Sequence, residues 1–236
     1  MQYECSIHAS FRVRKSWVNG YVYRMPRRYE QKERARQQEE TRERIVEAVV
    51  ALHRDVGPAR TTISAIAARA GVERLTVYRH FADEASLFEA CSAHFSAEVP
   101  PPNPAAWTAE PHPERRLRAA LAAFYDYYRR GEDMLSHIMR DAPVLPAIAE
   151  AMSPWLTFVA LTQETLLDGW GAECDRRYLA GSLAHALRFE TWQSLTHEGA
   201  FGDAEAIELM MALARAAVTL DGRTRRPITH APGPST

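Results

Sequence analysis

The segment Thr62–Phe81, TISAIAARAGVERLTVYRHF, constrains the fold more than any other stretch of the chain. Ile63, Ile66, Ala67 and Ala70 recur at steps of three and four, the spacing of one helical face. Thr62 stands before them as a capping residue. Gly71 follows and suits a tight turn that needs positive φ. A second short helix is expected over about Arg74–His80, broken by Phe81-Ala82-Asp83. Two short helices, each with one apolar face, meeting at a glycine turn make a helix-turn-helix.

The flanking sequence reads as helix on both sides. From about Gln38, Ile45, Val46, Val49, Leu52, His53 and Val56 form one stripe, and Gly57-Pro58 ends it. Asp83 is placed to cap a helix through Leu87, Phe88, Cys91 and Phe95. Six prolines between Pro100 and Pro113 make that stretch a loop. Beyond Glu114 helices are expected near 114–130, 132–141, 144–169 (with Pro154 as a point of breakage), 173–197 and 203–220. The expected fold is therefore all-α. A flexible basic arm is expected at 1–37, a helix-turn-helix domain at 38–96, the proline-rich loop at 97–113, a helical domain at 114–220 and a disordered tail at 221–236. Met25 opens MPRRYEQKERARQQEE, which reads like a natural start, so residues 1–24 are expected to come from a start assigned too early.

Charge is segregated along the chain. The net charge of −1 hides a basic first third, residues 1–80 at +7, on an acidic remainder at −8. This split points to a head for a polyanion and a body with another task. Apolar residues at 46% and charged residues at 25% argue against a disordered chain. No apolar run reaches the length of a membrane span, and the N-terminus lacks the apolar core of a secretory signal. Cys5, Cys91 and Cys174 are odd in number and far apart, without zinc-ligand spacing. A reduced, cytoplasmic protein is expected, with no metal and no cofactor. No GxGxxG, Walker loop, HExxH or Gly-x-Ser-x-Gly occurs, so an enzyme is not expected.

The helix-turn-helix supplies candidate DNA contacts. Its second helix would enter the major groove and present Arg74, Leu75, Thr76, Tyr78, Arg79 and His80. Arginine reads guanine, threonine and tyrosine bond phosphates, and leucine touches a thymine methyl. Thr62 and Ser64 open the preceding helix, whose first amides attract a phosphate.

Thr62, Ile66-Ala67, Ala70-Gly71-Val72, Thr76-Val77-Tyr78, His80-Phe81 and Leu87 together resemble the DNA-binding domain of TetR-family transcriptional regulators. Thr41-Arg42 and Ile45 resemble that family's first helix, and the likeness covers about residues 40–95. The resemblance implies DNA contacts at Thr62, Thr76, Tyr78 and His80, and sequence preference set by Arg74 and Leu75. One position departs from the pattern. Family members commonly carry a lysine at the start of the following helix, where it holds a phosphate; here Glu84 stands there. DNA affinity is expected to be lowered, or restored by Arg74, Arg79 and the arm residues Arg27, Arg28, Arg36 and Arg42.

The body reads as sensor and dimer. Its last two helices are apolar around much of their circumference, as expected where a second copy covers one side. Phe124, Tyr128, Ile138, Met139 and Trp155 are candidate walls of an effector pocket. Phe158, Phe189 and Trp192 join them, with His185 and His137 as polar handles. The expected function is a homodimeric repressor on a palindromic operator, released by a small, largely apolar effector. The alternatives are a TetR-like protein with weakened DNA binding that acts through a protein partner, and an all-α enzyme.

Overall fold

The computed structural model describes residues 17–18, 21–22, 27–171 and 175–220, with the backbone alone at 17–18, 21–22 and 27–29. The early start expected for residues 1–24 and the tail expected at 221–236 lie outside the described residues. The exceptions are β1 (Trp17–Val18) and β2 (Tyr21–Val22), which pair antiparallel. Among the described residues, everything else with regular structure is helical.

The chain divides into two compact units, residues 1–44 and 45–236. Helix α1 (Arg27–Asp55) belongs to both. It begins at Arg27 rather than near Gln38. Within the first unit it is laced by ion pairs at helical spacing, with Arg36 held by Glu33 and Glu40. Such pairs support a helix without an apolar stripe, so hydrophobic periodicity does not register them. They also engage Arg36, one of the cations expected to serve DNA.

The second unit opens with the buried end of α1, where Ile45, Val46 and Val49 are nearly inaccessible. A turn follows at Gly57, which takes φ 89°, and a 3-10 turn at Pro58–Arg60 leads into α2 (Ile63–Ala70). Next come α3 (Arg74–His80) and α4 (Glu84–Glu98). The Asp83 carboxylate accepts from the Ser86 amide at 2.8 Å, and the Ser86 side chain closes a capping box at the start of α4. Ile66, Ala67, Ala70, Val77, Phe81 and Leu87 join the α1 stripe in the core.

The body is built on α6 (Pro113–Asp141), a 29-residue helix packed against α5 (Ala105–Thr108), α8 (Ser153–Leu166), α10 (Phe189–Gln193) and α11 (Asp203–Thr219). The remaining helices are α7 (Pro146–Ala151), which packs on α4, and α9 (Arg176–Ala186), which packs on α11. Two expected boundaries move. No break occurs at Gly131. It stays inside α6 because the Phe95 ring approaches so closely that a Cβ there would lie 2.8 Å from its edge. The helix expected over 173–197 is instead split, with α9 ending at Ala186 and α10 starting at Phe189. The split frees carbonyls at the end of α9, and two buried hydroxyls take them. Tyr125 donates to the Ala186 carbonyl at 3.1 Å and Tyr128 to the Leu187 carbonyl. The proline-rich segment is pinned by Trp107, 1% exposed, against Phe124 and Phe158.

Removing one of those hydroxyls tests this account. Tyr128→Phe keeps the ring but strands the Leu187 carbonyl, and is expected to cost about 1–3 kcal/mol in urea unfolding. Unchanged stability would mean that the carbonyl finds another partner.

Candidate nucleic-acid interface and effector cavity

The reading unit follows from three local devices. Thr62 caps α2, its hydroxyl accepting from the Ala65 amide at 3.1 Å. Gly71 lies in the left-handed region at φ 65°, ψ 39°, and the Val72 amide returns to the Ala67 carbonyl at 3.0 Å. The helix α3 then buries Val77 completely and turns most of its other side chains outward. Leu75 is 67% exposed and Tyr78 47%, large apolar groups that folding leaves in water. Arg74 and Arg79 are exposed beside them, while Thr76 and His80 are half-buried. Thr62 and Ser64 are exposed at the start of α2. Arg42 lies half-buried on α1 within the first unit.

Glu84 is exposed as the first residue of α4. It lines a polar pocket of about 350 Å³ together with Thr62, Ser64 and Arg74. Its carboxylate therefore shares a surface with the helix start that was expected to receive a phosphate.

Residues 45–91 match the family of bacterial regulatory proteins called the tetR family. The match covers the end of α1, the helix-turn-helix of α2 and α3, and the first half of α4. No curated protein matches it in sequence. Solved structures share its fold at low identity. A TetR-like transcriptional regulator from Rhodococcus sp. RHA1 is 20% identical with a TM-score of 0.54, covering 74% of this chain and 93% of that one. A TetR family transcription regulator from Marinobacter aquaeolei VT8 is 20% identical at TM-score 0.53, covering 78% and 98%. One from Streptomyces coelicolor is 19% identical at 0.54, covering 78% and 85%.

The body holds a cavity of about 630 Å³ walled by the end of α1, by α4, α6, α7 and α8, and by the proline-rich segment. Of the expected pocket residues, Ile138, Met139, Trp155 and Phe158 line it. Phe124 and Tyr128 do not. They lie one layer deeper, at 0% and 2% exposure, with Phe124 stacked on Phe158 at 5.7 Å. Phe189 and Trp192 are core residues away from this cavity, and the Trp192 indole donates to Asp203 at 2.9 Å. His185 is exposed on α9, off the buried Leu179-Leu183-Ala186 stripe, and contacts Thr191. His137 is half-buried on α6 and does not line the cavity.

Sequence reasoning missed His53, Phe88, Cys91 and Phe95 as cavity walls. The signal available was a histidine inside the apolar stripe of α1. His53 is 4% exposed, stacked on Phe88 at 5.4 Å, with its Nδ1 3.4 Å from the Cys91 sulfur. Burial lowers its pKa to about 4 against an opposing pull from Asp141. His53 and Phe88 also line the polar pocket of the head, so one stacked pair is a wall of both spaces.

A second link joins the body to the head. The Asp141 carboxylate at the end of α6 accepts from the Ala59 amide at 2.9 Å and pairs with Arg140. Arg140 in turn donates to the Val56 carbonyl at 2.9 Å. Gly57 has no room for a Cβ beside these two side chains. Among the described residues, no group of three His, Cys, Asp or Glu side chains is arranged to hold a metal ion, and no helix is long and apolar enough to cross a membrane.

Two predictions follow from this geometry. Glu84→Lys reverses the charge at the head pocket; it is expected to tighten DNA binding and steepen its salt slope by about one unit. An unchanged slope would place Glu84 away from any phosphate. The second concerns acid. His53 stays neutral in the fold while the unfolded chain takes up a proton below about pH 6.5. Its contribution is full above that pH and falls as pH drops towards 4, by about 3 kcal/mol in all. Unfolding curves at pH 7 and 4.5 should differ less for His53→Phe than for the parent.

Proposed function

We propose that this chain is a TetR-family regulator that acts in the cytoplasm as a homodimeric repressor. It binds a palindromic operator and is released by a small, largely apolar effector held in the 630 Å³ cavity. The observation that carries this reading is the wall made by His53 and Phe88. A ligand seated against it presses on residues that also line the pocket containing Thr62, Ser64 and Arg74. An effector that prefers one setting of this wall shifts the head by its affinity ratio for the two states, and DNA shifts the effector by the same factor.

The outer face of α11 supports the dimer. Leu209 and Leu213 are 43% and 38% exposed, with Ala212 and Ala216 exposed on the same stripe. Tyr178 is 38% exposed on the neighbouring α9. A second copy would cover this face, and two heads on one axis would add two modest half-site interactions into one tight one. Glu84 favours a second reading, in which DNA binding is weakened and the helical protein works through a protein partner.

Titration of the full chain onto the DNA flanking its own gene, at two salt concentrations, separates the readings. A specific, salt-dependent complex of two chains per site is expected, with a dimeric mass in light scattering. Weak, sequence-blind binding would overturn the operator reading and leave the second.

A further inference from the structure

The chemistry of the cavity wall narrows the effector class, an inference that rests on the effector reading above. None of the residues lining the cavity is Asp, Glu, Lys or Arg. Its three ionisable liners are all held uncharged near neutral pH. Burial lowers His53 to about 4. Burial raises the Cys91 thiol to about 12, and the Tyr127 phenol to about 12. The arginine beside the Phe95 wall is already engaged. Arg54 lies over the Phe95 ring at 5.8 Å, but its guanidinium is paired with Glu98 at 2.8 Å and with Asp133 at 3.3 Å.

A charged ligand would therefore lose its hydration without gaining a counter-ion. A carboxylate that drew a proton onto His53 at pH 7 would forfeit about 1,000-fold in affinity, because the ring holds that proton only near pH 4. An ammonium would rely on aromatic faces. Those faces are partly covered by neighbouring rings and by Arg54: Trp155 lies 5.1 Å from Tyr127 and 5.5 Å from Phe158, and Arg54 lies over Phe95.

What the wall does offer is flat and polarisable. Phe88, Tyr127, Trp155 and Phe158 present ring edges and partial faces, and Met134, Met139 and Met152 present thioethers that adapt to an aromatic guest. His53 adds one polar group. Its Nδ1 is engaged by Cys91, so the ligand's hydrogen bond is assigned to Nε2. We propose that the effector is an uncharged aromatic molecule whose single hydrogen-bonding group meets His53, and that its carboxylate and ammonium analogues are excluded.

Three probes on one skeleton test this with the full-length protein: 2-(2-naphthyl)ethanol, 2-naphthylacetate and 2-(2-naphthyl)ethylammonium, measured by calorimetry at pH 7. The alcohol is expected to bind at least ten-fold more tightly than either ion. Ala151→Trp, which fills the cavity from α7, should abolish that binding. His53→Phe should weaken the alcohol about five-fold while leaving 2-ethylnaphthalene unchanged. Equal or tighter binding of an ion, no binding by any probe, or binding that survives Ala151→Trp overturns the proposal; the selectivity of the parent protein decides it even where a variant does not fold. Selective binding of the alcohol without any release of DNA would leave the ligand class standing and defeat the effector reading instead.

Discussion

One buried carboxylate sets the position of the reading unit. Asp141 is 4% exposed at the last turn of α6, where both burial and the negative end of the helix disfavour an acid. Two partners offset that cost. The Arg140 guanidinium, and after it the Ala59 amide, hold the carboxyl below the usual aspartate range. Ala59 lies in the turn that delivers the chain to Thr62, the cap of α2. The start of α2, the turn at Gly71 and the outward face of α3 all follow from where that turn is held. An apolar residue at 141 would pack at less cost but would leave the turn without its acceptor.

The same region explains how a cavity in the body can bear on the head. The family match ends at Cys91, in the middle of α4. The same helix caps the reading unit at Asp83, walls the cavity at Phe88, Cys91 and Phe95, and packs on α7. Along this route the cavity wall and the helix-turn-helix are joined by one continuous helix. Under the proposed function, a helix with one end at each site would transmit displacement, and the His53–Phe88 stack would give it a surface on which a ligand acts.

The head was legible in the sequence because its signals are local. A capping threonine, a glycine in the left-handed region and one apolar face per short helix each act within four residues, and Thr62, Gly71 and Val77 sit as their neighbours dictate. The cavity was only partly legible. Periodicity shows which side of α6 faces inward, but α6 has neighbours on several sides. Ile138 and Phe124 carry the same signal, although one lines the cavity and the other fills the layer below it. The remaining walls come from segments far apart in sequence, such as His53, Pro102 and Ile148, which only the tertiary fold brings together. His185 lies outside this cavity because the stripe of Leu179, Leu183 and Ala186 takes the inward face of α9.

Bulk charge explains less of DNA recognition than the basic first third suggests. Three of its 16 cations are paired with carboxylates: Arg36 with Glu33 and Glu40, Arg54 with Glu98 and Asp133, and Arg69 with Asp55. Long-range attraction falls with every such pair, since a paired arginine presents little net charge beyond a few ångströms. Under the proposed function, recognition would rest on short-range contacts from an exposed helix face that carries leucine and tyrosine beside its two arginines. In that setting one acid matters more than it would on a strongly basic surface. Glu84 shares a pocket with Arg74 and with the start of α2, so its charge opposes the few cations that are placed to act.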